Sequence, residues 1–278
     1  MISVVLPVYN GEDSLKKSID SVLGQTHTDL ELIIVNDCST DGTSAIISEA
    51  MERDKRIRRI DNQTNQKLPN SLNIGFSHAK GEYFTWTSHD NMYHKDALKM
   101  MYEALENDEK IGMVYCDFVA IDVNDREIAV YRQDEPECLA WKNPVGACFL
   151  YRKEVAQKVG DYDKDLFLAE DYEYWLRIWE VSKIVHLPQI LYYYRQHQKS
   201  LTETRKQEIK HKTVEVWLKH WDYNFSHING KKDKLRFCIK LMEMEKADLR
   251  KGLFLRLIKS YPLFLCYYIF IKIKNRGK

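Results

Sequence analysis

The segment Leu30-Glu31-Leu32-Ile33-Ile34-Val35-Asn36-Asp37-Cys38-Ser39-Thr40-Asp41-Gly42-Thr43 decides the reading of the chain. Leu30–Val35 is apolar except at Glu31, the pattern of a strand covered on both faces rather than of a half-exposed one. Ser39–Gly42 is a turn, and the helix after it buries Ile46, Ile47, Ala50 and Met51. A buried strand that runs through a short polar loop into a helix is half of a βαβ unit, the building block of a parallel sheet. Working back, Val4–Leu6 reads as an earlier strand, followed by a helix with Leu15, Ile19, Val22 and Leu23 on one face and Asn10 or Asp13 as its cap. Working forward, Ile57–Ile60, Glu82–Trp86 and Met113–Phe118 continue the strands, with helices near 70–79 and 95–107 between them. The first 120 residues therefore predict an α/β fold on a mostly parallel sheet, a nucleotide-binding architecture by fold analogy.

From about residue 120 the rhythm becomes irregular. A polar stretch runs to Glu137, followed by a turn at Asn143-Pro144, a run over Val145–Tyr151 and a short helix after Arg152. A further helix starts at Glu170-Asp171, with Tyr172, Trp175, Leu176 and Trp179 on its apolar side, which assigns both tryptophans to the core. Ile190–Tyr194 reads as a strand. After about 203 the chain reads as helices, including Lys234–Arg250 and an apolar end at Tyr261–Ile273.

At 278 residues the chain is near the upper limit for one hydrophobic core. Lys and Arg total 42 against 41 Asp and Glu, and a net charge of +1 lacks the field of a dedicated nucleic-acid binder. The balance hides an asymmetry, because residues 231–278 carry 14 basic and 4 acidic side chains and leave a net −9 on the first 230. Cys38, Cys116, Cys138, Cys148, Cys238 and Cys266 are scattered without a Cys-x-x-Cys pair, as expected of reduced thiols in a cytoplasmic protein. Met1–Pro7 lacks the basic stretch and long apolar core of a secretory signal, so the sequons at Asn62 and Asn224 read as chance.

Ligands of open α/β sheets bind at the carboxyl ends of the strands. Tyr9 and Asn10 follow the first strand; Asn36, Asp37 and Ser39 the second; Ser88, His89, Asp90 and Asn91 the fourth; and Glu170 and Asp171 open a later helix. Acids and an aromatic ring thus converge on one edge. A carboxylate beside a stacking ring can accept the imino proton of uracil, and another at a strand end can hold a divalent cation against a diphosphate. Taken singly, Asp and Asn at strand ends are turn formers and helix caps.

The ordered combination says more. Val4-Val5-Leu6-Pro7-Val8-Tyr9-Asn10, then Ser21-Val22-Leu23-Gly24-Gln25-Thr26, then Ile33 through Thr43, closely resembles the inverting family 2 glycosyltransferases, which have a GT-A fold and use nucleotide-diphospho-sugars. The resemblance continues through Asn73-x-Gly75, Ala79-Lys80-Gly81-Glu82-Tyr83, the Asp90 region, Gly146-Ala147, Glu170 through Arg177 and Tyr194-Arg195-x-His197. It implies a mixed, mostly parallel GT-A sheet flanked by helices. The catalytic domain would span 1–203, with a nucleotide-sugar half over 1–120 and an acceptor half over 121–203, and a helical extension would follow over 204–278.

Carried over residue by residue, the resemblance places Pro7 and Tyr9 against the base and ribose, with Asp37 on the base edge. Asp90 matches the last acid of the Asp-x-Asp element, implying Mn²⁺ or Mg²⁺ on the diphosphate, and Asp171 matches the general base, although it could instead cap its helix. The chain departs from the family pattern at Ser88, which replaces the first acid of that element, and at Asn36, which replaces a common acid. Leu72 stands in place of Arg, leaving Lys67 as a phosphate partner. His197 is a metal ligand, a diphosphate contact or a surface loop residue; Trp141 stacks on an acceptor sugar or belongs to the core. The implied activity is transfer of a hexosyl or N-acetylhexosaminyl group from a UDP-sugar to a carbohydrate or lipid-linked glycan hydroxyl in surface polysaccharide assembly. No Gln-x-x-Arg-Trp element is present, which favours single transfer over processive synthesis; the rival reading is a catalytically inactive sugar-nucleotide-binding module. Tyr261–Ile273, apolar apart from Lys272, falls short of the ~20 residues that span a bilayer, so with its flanking Lys and Arg it is expected to dock on the inner membrane face, or else on protein.

Overall fold

The computed structural model describes residues 1–198 and 200–228, together with Lys234, Phe237 and Lys259. The elements in chain order are β1 (Ile2–Val8), α1 (Leu15–Leu23), β2 (Leu30–Asn36), α2 (Thr43–Arg53), β3 (Ile57–Asp61), α3 (Lys67–Ser77), β4 (Tyr83–Trp86), β5 (Met92–Tyr93) and α4 (Ala97–Glu106). They continue with β6 (Ile111–Ile121), β7 (Glu127–Tyr131), β8 (Phe149–Arg152), α5 (Lys153–Val159), α6 (Glu170–Val181), β9 (Lys183–Arg195), α7 (Leu201–Thr204), α8 (Lys206–Lys219) and α9 (Trp221–His227). Among the described residues, nine strands form one sheet in the order β3-β2-β1-β4-β8-β6-β9-β5, with β7 on β6. The pairs β1·β2, β2·β3, β1·β4 and β6·β9 are parallel, while β8 runs antiparallel between β4 and β6. Two reversals across β8 restore the original direction, so β1, β2, β4, β6 and β9 all end on one edge.

Side chains alternate across the buried strands as a period of two requires. Val4, Leu6, Leu32 and Ile34 face Leu15, Ile19 and Val22 of α1, Ile47 of α2 and Leu98, Met101 and Leu105 of α4. Val5, Ile33 and Val35 face the other way, toward Leu72 of α3, Val155 of α5, Trp175 and Leu176 of α6, and Val214, Trp217, Trp221 and Phe225 of α8 and α9. The result is a helix–sheet–helix sandwich in which α8 and α9 share the apolar layer of the first 200 residues. Glu31 is buried in β2 without an unmet charge: it accepts from Ser3 Oγ (2.7 Å) and the Lys80 amide (2.6 Å) and pairs with Arg58 (3.0 Å). Gly75 lets α3 lie against β1, since a Cβ there would meet Val5 Cγ1 at 2.4 Å. Its motif partner Asn73 exchanges two hydrogen bonds with the Tyr162 backbone (2.9 and 2.8 Å), fixing α3 to the segment before α6.

Several boundaries differ from the sequence reading. The first helix is preceded by Ser14 and no side chain caps it; Asn10 instead accepts from the Thr40 amide (2.9 Å). The polar stretch after 120 contains β7, whose five residues are all exposed. The run from Val145 becomes strand only at Phe149, and the last strand starts at Lys183 rather than Ile190. Trp175 is fully buried, whereas Trp179 is only partly buried at the edge of that layer, as is Trp141. The expected helix over Lys234–Arg250, the apolar Tyr261–Ile273 and its docking lie outside the described residues, apart from Lys234 and Phe237. No helix among the described residues is long and apolar enough to cross a membrane.

Candidate active site

Backbone strain marks the carboxyl edge. Among the described residues, the non-glycine residues with positive φ are Asn10 (52°), Cys38 (64°), Lys67 (66°), Asp125 (64°) and Leu168 (82°). They sit after β1, after β2, at the start of α3, in the β6–β7 turn and just before α6. Each left-handed residue costs about 1 kcal/mol, and such strain collects where loops are held for function.

Pro7 is buried at the end of β1, and the ring of Tyr9 beyond it is 49% exposed. Asp37 is 4% exposed: Oδ1 accepts from Asn62 Nδ2 (2.8 Å) and the Gln66 amide (2.7 Å), and Oδ2 from the Lys67 amide (3.0 Å). It therefore fixes the entry to α3 and places Lys67 beside the β2 loop. The Asn62 sequon is spent on this contact, and Asn224 of the other sequon is buried. Asn36 shows why an amide suits its position, since Nδ2 donates to Asp61 (2.8 Å) and Oδ1 accepts from Ser39 N (3.2 Å); a carboxylate would face Asp61 with like charge.

Ser88, half-buried, is held through its carbonyl by Ser18 Oγ (2.9 Å). Two residues on, Asp90 Oδ2 lies 2.9 Å from His197 Nε2, so the fold brings these two predicted residues together. Burial opposes the Asp90 charge, but the His197 hydrogen bond and the nearby His89 and His197 outweigh it and lower its pKa. Its second oxygen, Oδ1, is buried without a hydrogen-bond partner. An unmatched anionic oxygen beside an imidazole fits a divalent cation. Among the described residues no group of three or more His, Cys, Asp or Glu is gathered for a metal. Any cation held by Asp90 and His197 would take its remaining ligands from substrate or water.

Asp171 lies in the first turn of α6. The cap position is Ala169, so Asp171 is not the N-cap. Its Oδ2 accepts from Asn143 Nδ2 (2.9 Å) and its Oδ1 from the Tyr172 amide (2.7 Å). Burial raises its pKa against those two bonds. Neighbouring Glu170 is 4% exposed, accepts from the Leu168 amide (2.6 Å), and is pushed up to about 8, by burial first and then by the Asp171 charge. Burial raises the pKa of the Tyr194 hydroxyl, at the end of β9, and the charges of Asp90 and Asp171 add to it. Sequence reading assigned no role to Asn143, Arg195 or Tyr194, although each stood in or beside a quoted motif.

The site residues thus include an exposed Tyr9 ring, an anchored Asp37, the Asp90–His197 pair and an Asp171 carboxylate of raised basicity. A family model described as Glycosyl transferase family 2 matches residues 3–160. An uncharacterised glycosyltransferase of Rickettsia prowazekii is 29% identical over 221 residues, covering 76% of this chain and 68% of its own length. The uncharacterised glycosyltransferase EpsJ of Bacillus subtilis is 30% identical over 220 residues, covering 73% and 63%. Among solved structures, S. aureus TarS 1–349 in complex with UDP aligns with a TM-score of 0.62 at 18% identity, over 94% of this chain and 72% of that one. The mannosyltransferase PcManGT from Pyrobaculum calidifontis, in complex with GDP-Man and Mn²⁺, aligns with a TM-score of 0.62 at 16% identity, over 96% and 82%. At these identities the structural likeness shows a shared GT-A fold. With more than half of its residues matched by the family model, the chain belongs to glycosyl transferase family 2.

Proposed function

We propose that this glycosyltransferase inverts configuration while moving a hexosyl or N-acetylhexosaminyl group from a UDP-sugar to a carbohydrate hydroxyl in surface polysaccharide or glycan assembly. The observation that carries the reading is Asp171: a carboxylate of raised basicity, aimed by Asn143, on the same edge as Asp90, His197 and Asp37. Tyr9 stacks on the base and Pro7 lines its pocket, Asp37 stands at the base edge, and Lys67 and Ser88 face the phosphates. Asp171 takes the proton of the acceptor hydroxyl as its oxygen attacks the anomeric carbon, and the bond to the diphosphate breaks on the opposite face. Asp90 and His197 would hold Mn²⁺ or Mg²⁺, which when bound neutralises charge on the diphosphate oxygens. The TarS complex with UDP and the PcManGT complex with Mn²⁺ support the donor and metal assignments by analogy of fold.

Thermal unfolding in the presence of UDP-, GDP- and TDP-sugars with Mn²⁺ tests the reading, since a ligand selective for the native state at 100 Kd adds about 2.7 kcal/mol. UDP-sugars are expected to raise the midpoint most; no shift with any of them overturns the proposal.

The two strand-end acids should separate by metal dependence. Asp90→Ala is expected to weaken UDP binding about tenfold or more with Mn²⁺ present and little without it. Asp37→Ala should weaken it in both conditions and narrow the preference for UDP over GDP, because a lost polar contact erodes base discrimination. Calorimetry in which both variants bind UDP as the parent does, with Mn²⁺ present, would put the donor site elsewhere.

A further inference from the structure

Arg195, the last residue of β9, is 6% exposed, an expensive place for a cation unless its geometry is used. Its Nε donates to the Asp90 carbonyl (3.0 Å) and its Nη1 to the Asp122 carbonyl (2.7 Å). Nη2 forms an ion pair with Asp125 Oδ1 at 2.6 Å. The Arg195 amide donates to Asn91 Oδ1 (2.8 Å), and the next amide, of Gln196, donates to the Ile121 carbonyl (2.9 Å). One planar fork thus joins the loop after β4, the end of β9 and the β6–β7 turn. The turn is fastened a second time by Lys17 of α1, which pairs with the left-handed Asp125. His197 stands two residues beyond the fork and meets the carboxylate of the residue whose carbonyl the fork holds.

We propose that Arg195 is a positioning residue for the diphosphate end of the donor site: by clamping the Asp90 backbone to the β6–β7 turn, it holds the Asp90 carboxylate and His197 in register with each other. The inference rests on the reading that Asp90 faces the diphosphate and its cation. A Lys cannot reproduce the clamp, because an ammonium has no fixed fork to reach two carbonyls and a carboxylate at once. A nonspecific structural role would lower stability and all nucleotide binding together. The positioning role separates them.

Arg195→Lys is expected to keep its unfolding midpoint within a few degrees and its metal-free UDP affinity within about twofold, while the gain in UDP affinity on adding Mn²⁺ falls about tenfold or more, the usual loss when a partner behind a metal ligand is removed. Asp125→Ala, which removes the ion pair of the fork and the Lys17 contact but leaves the bonds to the Asp90 and Asp122 carbonyls, is expected to lose a smaller part of the same gain than Arg195→Lys does, and it carries the test if the Lys variant does not fold. Calorimetric titration of UDP with and without Mn²⁺ reads all of these. Retention of the full Mn²⁺ gain in the folded variant, or an equal loss with and without metal, overturns the role of Arg195. If the parent keeps a gain that Asp90→Ala abolishes but Arg195→Lys does not, only this inference fails. If the parent shows no gain, the donor reading fails and the inference with it.

Discussion

Asp171→Asn is expected to lower the rate of sugar transfer by about three orders of magnitude while leaving UDP-sugar affinity within a few-fold, the signature of a group needed only in the transition state. The amide keeps the size and the Asn143 contact partner but cannot take a proton. The base must be charged to act, so kcat/KM falls as pH drops through its pKa, and burial sets that acid limb above the ordinary carboxylate range. Asn143 donates to the charged form and holds the pKa down; Asn143→Ala should therefore move the limb to higher pH. Near-parental turnover in Asp171→Asn, or a limb that Asn143→Ala shifts downward, sinks the assignment of the base.

What the sequence made legible follows from how directly a residue's role depends on its neighbours in the chain. The Leu30–Val35 run announced a strand buried on both faces because both faces needed apolar side chains, and the placement of Asp37 and Asp90 on one edge was legible because loops after parallel strands converge by topology alone. β7 went unread for the opposite reason: all of Glu127–Tyr131 is exposed, so no buried face imprinted a period on it. The start of β9 was missed because Pro188 and Gln189 interrupt its pattern before Ile190. Asn143 and Arg195 act on Asp171 and Asp90 across 28 and 105 residues, distances over which no local pattern carries information. The left-handed Leu168, whose amide donates to the Glu170 carboxylate, was equally hidden, since nothing in its residue type announces a positive φ.

Glu173→Ala should lower the unfolding midpoint by roughly 10 °C, from a loss of about 3–5 kcal/mol at 2–4 °C per kcal/mol for a chain of this size. Glu173, on α6, is fully buried: Oε2 accepts from Arg177 Nε (2.9 Å), while Oε1 meets Lys219 Nζ (2.7 Å) and His220 Nε2 (3.2 Å) at the α8–α9 junction. Lys219 also pairs with Asp163 (2.8 Å), and His220 Nδ1 lies 3.0 Å from Glu180. Removing Glu173 leaves three cationic groups converging on an empty place between α6 and the helices after it. Burial opposes the Glu173 charge, but the His220, Lys219 and Arg177 contacts outweigh it and bring its pKa to about 2. A depressed carboxylate stabilises the fold above its unfolded pKa of about 4.3 and loses that contribution as pH falls toward 2. His220 works in the other sense. Burial opposes its cation, yet the bonds to Glu173 and Glu180 raise its pKa, so its contribution is complete below about 6.5 and is lost as pH rises through the raised value. The stability gap between parent and Glu173→Ala should consequently be widest between about pH 4.5 and 6.5 and narrow on either side. Thermal unfolding across pH 3 to 9 measures it, and a gap that stays below 2 °C or does not change with pH would mean that the Glu173 ion pairs do not hold α8 and α9 on α6.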